Sequence, residues 1–195
     1  VMDAKSHGYC SRAAFKLIEI NNKFHIFKPN YKVIDLGSAP GSWTQVASNA
    51  LYKGEECILS IDLLETINVV GSKSLIMDIF SDKIHDAIKE HFPNGINVVL
   101  SDMASNSMGD QQTDHLRIIN LCEAAETIAD KFLLFNGHMV LKILHGSQEG
   151  QLIKRLRTKF QKVQYYKPKA SRKESNEIYV VCINYKNPAL QKLPQ

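Results

Sequence analysis

Short runs of apolar, β-branched residues alternate along this chain with stretches whose apolar positions recur every three or four residues. That is the pattern of strands interleaved with amphipathic helices. Residues 11–20 (SRAAFKLIEI) put Ala14, Phe15 and Ile18 on one side of a helix with Ser11 as its N-cap. Val33 and Ile34 begin a short strand ending at Asp35, and a turn of small residues follows. Behind Ser42, a second candidate N-cap, Trp43, Val46, Ala47 and Ala50 recur at helical spacing. Residues 57–62 (CILSID) and 75–77 read as strands, the first ending in Asp62 and the second followed by Asp78. Ser81 caps a predicted helix to about residue 91, with Ile84, Ala87 and Ile88 inward. Residues 96–100 (INVVL) are continuously apolar, as a central parallel strand buried on both faces should be. After a polar loop over 105–110, a long helix is predicted from about 113 to 134, then a buried strand over 137–144 (GHMVLKIL). A helix over 147–160 leads to strands at 163–167 and 178–185, a hairpin-like closing pair with one antiparallel strand. The pattern predicts an α/β fold: a mostly parallel seven-stranded sheet, helices on both faces.

Composition narrows this little. A chain of 195 residues, 44% hydrophobic, suits a single domain over 1–195, with 1–10 and 188–195 expected to be loose. No apolar run approaches the roughly 20 residues that span a bilayer, which points to a soluble protein. Cys10, Cys57, Cys122 and Cys182 are widely separated and form no C-x-x-C pair, which argues against zinc and for reduced thiols. The net charge of +4 is modest, but its distribution is not even. Lys154, Arg155, Arg157, Lys159, Lys162, Lys167, Lys169, Arg172 and Lys173 follow one another with no acid among them. One reading is a solvated helix face plus a basic loop. The other is a surface for a polyanion, RNA or DNA, because residues 169–173 precede the last strand near the expected ligand edge.

The candidate chemistry gathers around residues 32–43 (KVIDLGSAPGSW), a strand, Gly-rich loop and helix. Gly37 and Gly41 are spaced G-x-x-x-G, neither a dinucleotide fingerprint nor a P-loop. Asp35 just before the loop suits a cationic ligand such as S-adenosylmethionine (SAM) better than a pyrophosphate; a ligand-free turn of the same shape is the alternative. Asp62, about 20 residues beyond Gly41, is placed to accept from ribose hydroxyls. Asp78 is placed to take an adenine amino group. Asp102, after the central strand, is either a ligand contact or a turn cap. Lys142 is either a paired, functional lysine inside an apolar strand or one that snorkels to water. Lys16 by itself reads as a solvated lysine on a helix face.

Taken together, SRAAFKL, VIDLGSAPGSW, Asp62–Leu64, Asp78, VLSDMAS, VLKIL and KPKASRKESNEIYVV resemble the RrmJ/FtsJ family of SAM-dependent RNA 2′-O-ribose methyltransferases, over nearly the whole chain. The resemblance implies a Rossmann-like methyltransferase fold and a catalytic set at Lys16, Asp102, Lys142 and Glu177. It implies SAM, yielding S-adenosylhomocysteine, held by Gly37, Pro40, Gly41, Trp43, Asp62, Asp78, Ile79 and Asp102. It places RNA at Arg12, Lys169, Arg172 and Lys173. SDMA and NEIYVV are similar to the ribosomal RNA branch of the family, and PKASRKESNE to its mitochondrial-type members, which act on a uridine. GSAPGSW departs from the usual GAAPGGW, and SDMAS lacks the proline that usually follows the alanine. The expected substrate is large-subunit ribosomal RNA, free or in the assembled subunit, with tRNA methylation or non-catalytic RNA binding as alternatives. The expected protein is a monomer without metal or membrane attachment. Its expected compartment is the mitochondrion, the alternatives being another organelle, the cytoplasm or the nucleolus.

Overall fold

The computed structural model describes residues 4–104, 110–144 and 149–187. Seven strands form one sheet in the order β3-β2-β1-β4-β5-β7-β6. They are β1 (Val33–Leu36), β2 (Ile58–Asp62), β3 (Ser72–Ile76), β4 (Ile96–Ser101), β5 (Leu133–Leu144), β6 (Phe160–Tyr166) and β7 (Glu177–Tyr185). The first five are parallel; β7 runs antiparallel between β5 and β6. The closing pair is therefore a hairpin whose second strand enters the sheet, because β7 is apolar enough to be covered on both sides while β6 is half exposed.

Among the described residues five α-helices cover the two faces: α1 (Ala13–Phe24), α2 (Ser42–Leu51), α3 (Ile84–His91), α4 (Gln111–Phe132) and α5 (Gly150–Lys159). On one face Ile34, Leu59, Val99 and Leu141 meet Ile88 of α3, Cys122 and Ala125 of α4 and Leu156 of α5. On the other, Val33, Leu100, Val140 and Val181 lie under Leu17 and Ile20 of α1 and Trp43 and Ala47 of α2. Alternation of side chains along each strand produces this division. Among the described residues no helix is long and apolar enough to cross a membrane. The cysteines are free thiols, and Cys57, Cys122 and Cys182 are buried.

The local expectations need several corrections. Ser42 is the first residue of α2 and makes no capping bond; Gly41 is the N-cap, at φ 122°. The Ser42 hydroxyl instead bonds Ser11 Oγ at 2.6 Å, tying the start of α1 to α2. Ser11 lies one residue before the N-cap Arg12, where its Oγ accepts from the Ala13 N–H at 3.2 Å. Ser81 likewise precedes the N-cap Lys83, and β3 begins earlier than expected and forms a half-exposed edge. Residues 4–10 are not loose. A 3-10 turn (Lys5–His7) leads to Gly8 and Cys10, both held by the Gln45 side chain: Nε2 donates to Gly8 O and Oε1 accepts from Cys10 N. Residues 1–3, most of the 105–110 loop, Ser147 and the 188–195 tail lie outside the described residues.

Candidate active site

The order β2-β1-β4 puts a topological switch point between β1 and β4, and open sheets bind ligands beyond the carboxyl ends of their strands there. A cavity of about 370 Å³ lies at that edge, within the usual size of a small-molecule site. Gly37 follows β1, Asp62 ends β2, Asp78 follows β3 and Asp102 follows β4; all four line it, with Ile79 and Phe80. Asp62 is oriented by its neighbours: Oδ2 accepts from Ala39 N and Oδ1 from Leu64 N, each at 2.9 Å. A carboxylate has about four acceptor positions, so two remain for hydroxyl donors. Asp78 Oδ1 accepts from Phe80 N at 2.9 Å. Gly37 has φ 72°, and a Cβ there would lie 2.6–2.9 Å from Met103, two of the three contacts being backbone.

Other residues read as ligand contacts are not among those lining this cavity. Asp35 is fully buried and absent from the cavity wall; its Oδ2 accepts from Thr44 Oγ1 at 2.7 Å. Burial pushes its carboxyl up to about 7; the Thr44 bond opposes this, and Asp102 and Asp62 add to the rise. The acid before the loop is thus a partner for α2, because β1 is buried on both sides. Pro40, Gly41 and Trp43 do not line the cavity either. The Trp43 indole donates to Ala13 O at 2.9 Å and packs against Tyr179, so its side chain belongs to the core beneath α1. Pro40 accepts from Ile67 N, and Gly41 leaves room for the Ile67 side chain, so the two tie the 63–67 segment to the Gly-rich loop.

Beside the cavity the structure brings four charges together. Lys142 is the intruder in β5, and its side chain is nearly buried. Its Nζ donates to Asp102 O at 2.8 Å and lies 3.3 Å from Asp102 Oδ1 and 3.8 Å from Glu177 Oε1. Lys16 Nζ, from α1, completes the chain at 3.2 Å from Glu177 Oε2. Sheet register explains the meeting. Antiparallel pairing sets Lys142 opposite Tyr179 and Leu144 opposite Glu177, so the start of β7 arrives where the parallel strands end. Glu177 and Tyr179, two residues apart, share a face with Lys142. Burial raises the Glu177 carboxyl, but the Lys142 ammonium, then that of Lys16 with its hydrogen bond, lower it more, to a position below its ordinary range. Its ionic contacts are therefore complete above the usual carboxylate range and are lost as pH falls through that lowered value.

Tyr179 is the residue that sequence reasoning overlooked. Its hydroxyl donates to Asp102 Oδ1 at 2.7 Å, and Lys16 Nζ stands 5.9 Å from its ring centroid. The signal was available: a tyrosine two positions after Glu177 in a strand must share its face.

A groove of about 590 Å³ opens on the far side of this set, lined by Arg12, Lys16, Arg172, Glu174 and Glu177 among others. The side chains of Lys169 and Lys173 are exposed nearby but do not line it. The basic strip is divided. Arg155 pairs with Glu123 and Glu126, and Lys159 with Glu126 and Asp130, so these two cations brace α5 on α4. Among the described residues no group of three or more His, Cys, Asp or Glu could hold a metal ion.

A family model, FtsJ-like methyltransferase, matches residues 9–185. A Rickettsia akari protein named ribosomal RNA large subunit methyltransferase E is 43% identical over 190 residues, 95% of this chain and 84% of that one. Its namesake in Rickettsia bellii is 44% identical with the same coverage. A solved candidate ribosomal RNA methyltransferase of Plasmodium falciparum superposes with a TM-score of 0.81 at 32% identity, over 91% of this chain and 98% of that one. A candidate methyltransferase of Streptococcus mutans, solved in complex with SAH, shares the fold at a TM-score of 0.55 and 15% identity, over 86% of this chain and 96% of that one. With a family model spanning nearly all of it and relatives this similar along its length, the chain belongs to the FtsJ-like methyltransferase family.

Proposed function

We propose that this protein transfers a methyl group from SAM to a ribose 2′-hydroxyl, that of a uridine, in large-subunit ribosomal RNA. The observation that carries the reading is the continuous set Lys16–Glu177–Lys142–Asp102, with the cavity at its Asp102 end and the groove at its Lys16 end. The names of the Rickettsia relatives support the choice of RNA.

The cavity's donor set fits SAM. Among the described residues its wall holds three acids, Asp62, Asp78 and Asp102, and no basic residue, which favours a sulfonium and an ammonium over a pyrophosphate. Asp62 would accept from the ribose hydroxyls and Asp78 from the adenine amino group, with Ile79 and Met77 against the ring. When bound, SAM supplies an electrophilic methyl carbon. The chain's own work is to bring a hydroxyl oxygen into line with it, and positioning of this kind is worth several kcal/mol. Lys142 either takes the proton of that hydroxyl or, as an ammonium, holds its oxygen in line while the proton leaves late, to water, once the methyl carbon has begun to bond. The acceptors around Nζ, Asp102 O, Asp102 Oδ1 and Glu177 Oε1, favour the second role. Asp102, held by Tyr179, fixes the ammonium; Lys16 and Glu177 shape the side from which a ribose enters. Arg12 and Arg172 flank the approach and would meet phosphates.

The test is methyl transfer from labelled SAM to ribosomal RNA and to large subunits, with tRNA in parallel and nucleoside analysis of the product. A 2′-O-methylated uridine in ribosomal RNA, lost with Lys142→Ala, is the expected result. Label confined to tRNA keeps the chemistry and overturns the choice of RNA. SAM binding with no transfer to any RNA overturns the catalytic reading.

A further inference from the structure

Arg12, Lys16, Glu19 and Lys23 follow one another at intervals of four, three and four residues, the spacing of one stripe along a helix. The stripe faces the end of β6 and the loop that follows it. Lys23 Nζ lies 4.6 Å from the centroid of the Tyr166 ring, and Lys16 pairs with Glu177. Between them stands one acid. Glu19 Oε2 accepts from Lys169 N at 2.7 Å and Oε1 from Ala170 N at 2.8 Å, with the Tyr166 hydroxyl 3.5 Å from Oε2. Two successive backbone N–H groups converging on both oxygens of one carboxylate form a charge-assisted, two-point clamp.

Past the clamp the loop is fastened mainly to itself. Lys167 Nζ donates to Ser175 O at 2.6 Å, Ser171 N to Pro168 O and Ser175 N to Arg172 O. It is held to α1 through Glu19, and it brings Ala170 and Arg172 into the wall of the groove that Arg12 and Lys16 also line. An acid amid a basic surface is unfavourable for holding RNA directly, yet its oxygens are already engaged by the backbone.

We propose that Glu19 is a positioning residue: it latches the 167–176 loop to α1 and thereby holds the Arg172 wall of the RNA groove in place. Only the kinetic part of this inference rests on the RNA methyltransferase reading. Glutamine cannot replace the carboxylate, since it offers one acceptor oxygen and turns an amide N–H toward the second backbone N–H. With the latch open, the loop must be ordered when RNA binds, so the effect falls on RNA affinity rather than on the chemical step.

The experiment uses the full chain with Glu19→Gln, Arg172→Ala and both together. Trypsin should cut after Lys169, Arg172 or Lys173 about tenfold faster in Glu19→Gln than in wild type, with melting lowered by only a few degrees. The KM for RNA should rise about tenfold while kcat stays within about threefold and SAM affinity is unchanged. The double variant should be no weaker toward RNA than Arg172→Ala alone, since Glu19 acts through that side chain. Wild-type protease sensitivity in Glu19→Gln, a fall in kcat without a change in KM, or additive losses would each overturn the proposal. If the wild-type protein methylated no RNA, the functional reading would fail by itself, while the protease comparison would still decide whether the latch exists.

Discussion

Lys142 directs its ammonium twice at one residue: Nζ is 2.8 Å from the Asp102 backbone carbonyl and 3.3 Å from its Oδ1. The lysine is thereby held by the same turn that lines the cavity. Lys142→Ala is expected to lower turnover by about 10²–10⁴-fold or more, with SAM affinity within a few-fold of wild type. Single-turnover transfer and calorimetric SAM binding check this. Equal loss of both would make the lysine structural.

Tyr179→Phe keeps the ring against Trp43 and removes one donor from Asp102. Burial, with Asp102 beside it, raises the phenol well above its usual value, so it remains a donor at working pH. A lost bond to a charged group is worth about 1.5–3 kcal/mol. Melting should fall by a few degrees and kcat by roughly tenfold, with KM for SAM little changed, as steady-state kinetics would report.

Gly37→Ala should be poorly tolerated. The position needs φ 72°, and the new Cβ would meet Met103 backbone atoms at 2.8 and 2.9 Å. The expected cost is about 1–3 kcal/mol, together with weaker SAM binding, because Met103 is itself a wall of the cavity. Denaturation and SAM titration of the same variant separate the two effects.

The buried Asp35 makes stability depend on pH. Its folded-state pKa of about 7 lies above its ordinary value, so between about 4 and 7 the unfolded chain ionises first and binds fewer protons. The stability it contributes is full below about pH 4 and declines as pH rises to 7. The melting temperature of Asp35→Asn relative to wild type should therefore climb across that window and level off above it. A difference that stayed flat with pH would contradict the assignment.

Two arginines of the basic strip should behave differently. Arg155 is bonded to the nearly buried Glu126, so Arg155→Ala should cost about 1–2 kcal/mol of stability and leave RNA affinity unchanged. Arg172→Ala should leave stability unchanged, weaken RNA binding and reduce its salt dependence by about one ion. Thermal melts and salt titrations of RNA binding distinguish them.

Periodicity along the chain carried the strand and helix order, because each element's inner face must be apolar wherever the sheet is buried. The acids at strand ends were legible for a similar reason. Asp62, Asp78 and Asp102 follow strands whose carboxyl ends share one edge, and all three line the cavity. Sequence likeness named Lys16, Lys142 and Glu177; the residue pattern alone read Lys16 as a solvated lysine, left Lys142 open between a paired and a snorkelling one, and did not single out Glu177. Tertiary structure decided the rest. A fully buried β1 turned Asp35 inward to Thr44, and Trp43 became a brace under α1. The acids of α4 claimed Arg155 and Lys159. Insertion of β7 beside β5 set Tyr179 opposite Lys142 and carried Glu177 to Lys16, 161 residues away along the chain. Side-chain direction along a single strand follows from local backbone geometry, whereas the partner that a charged group meets is set by strand order and register, and these exist only once the sheet has formed.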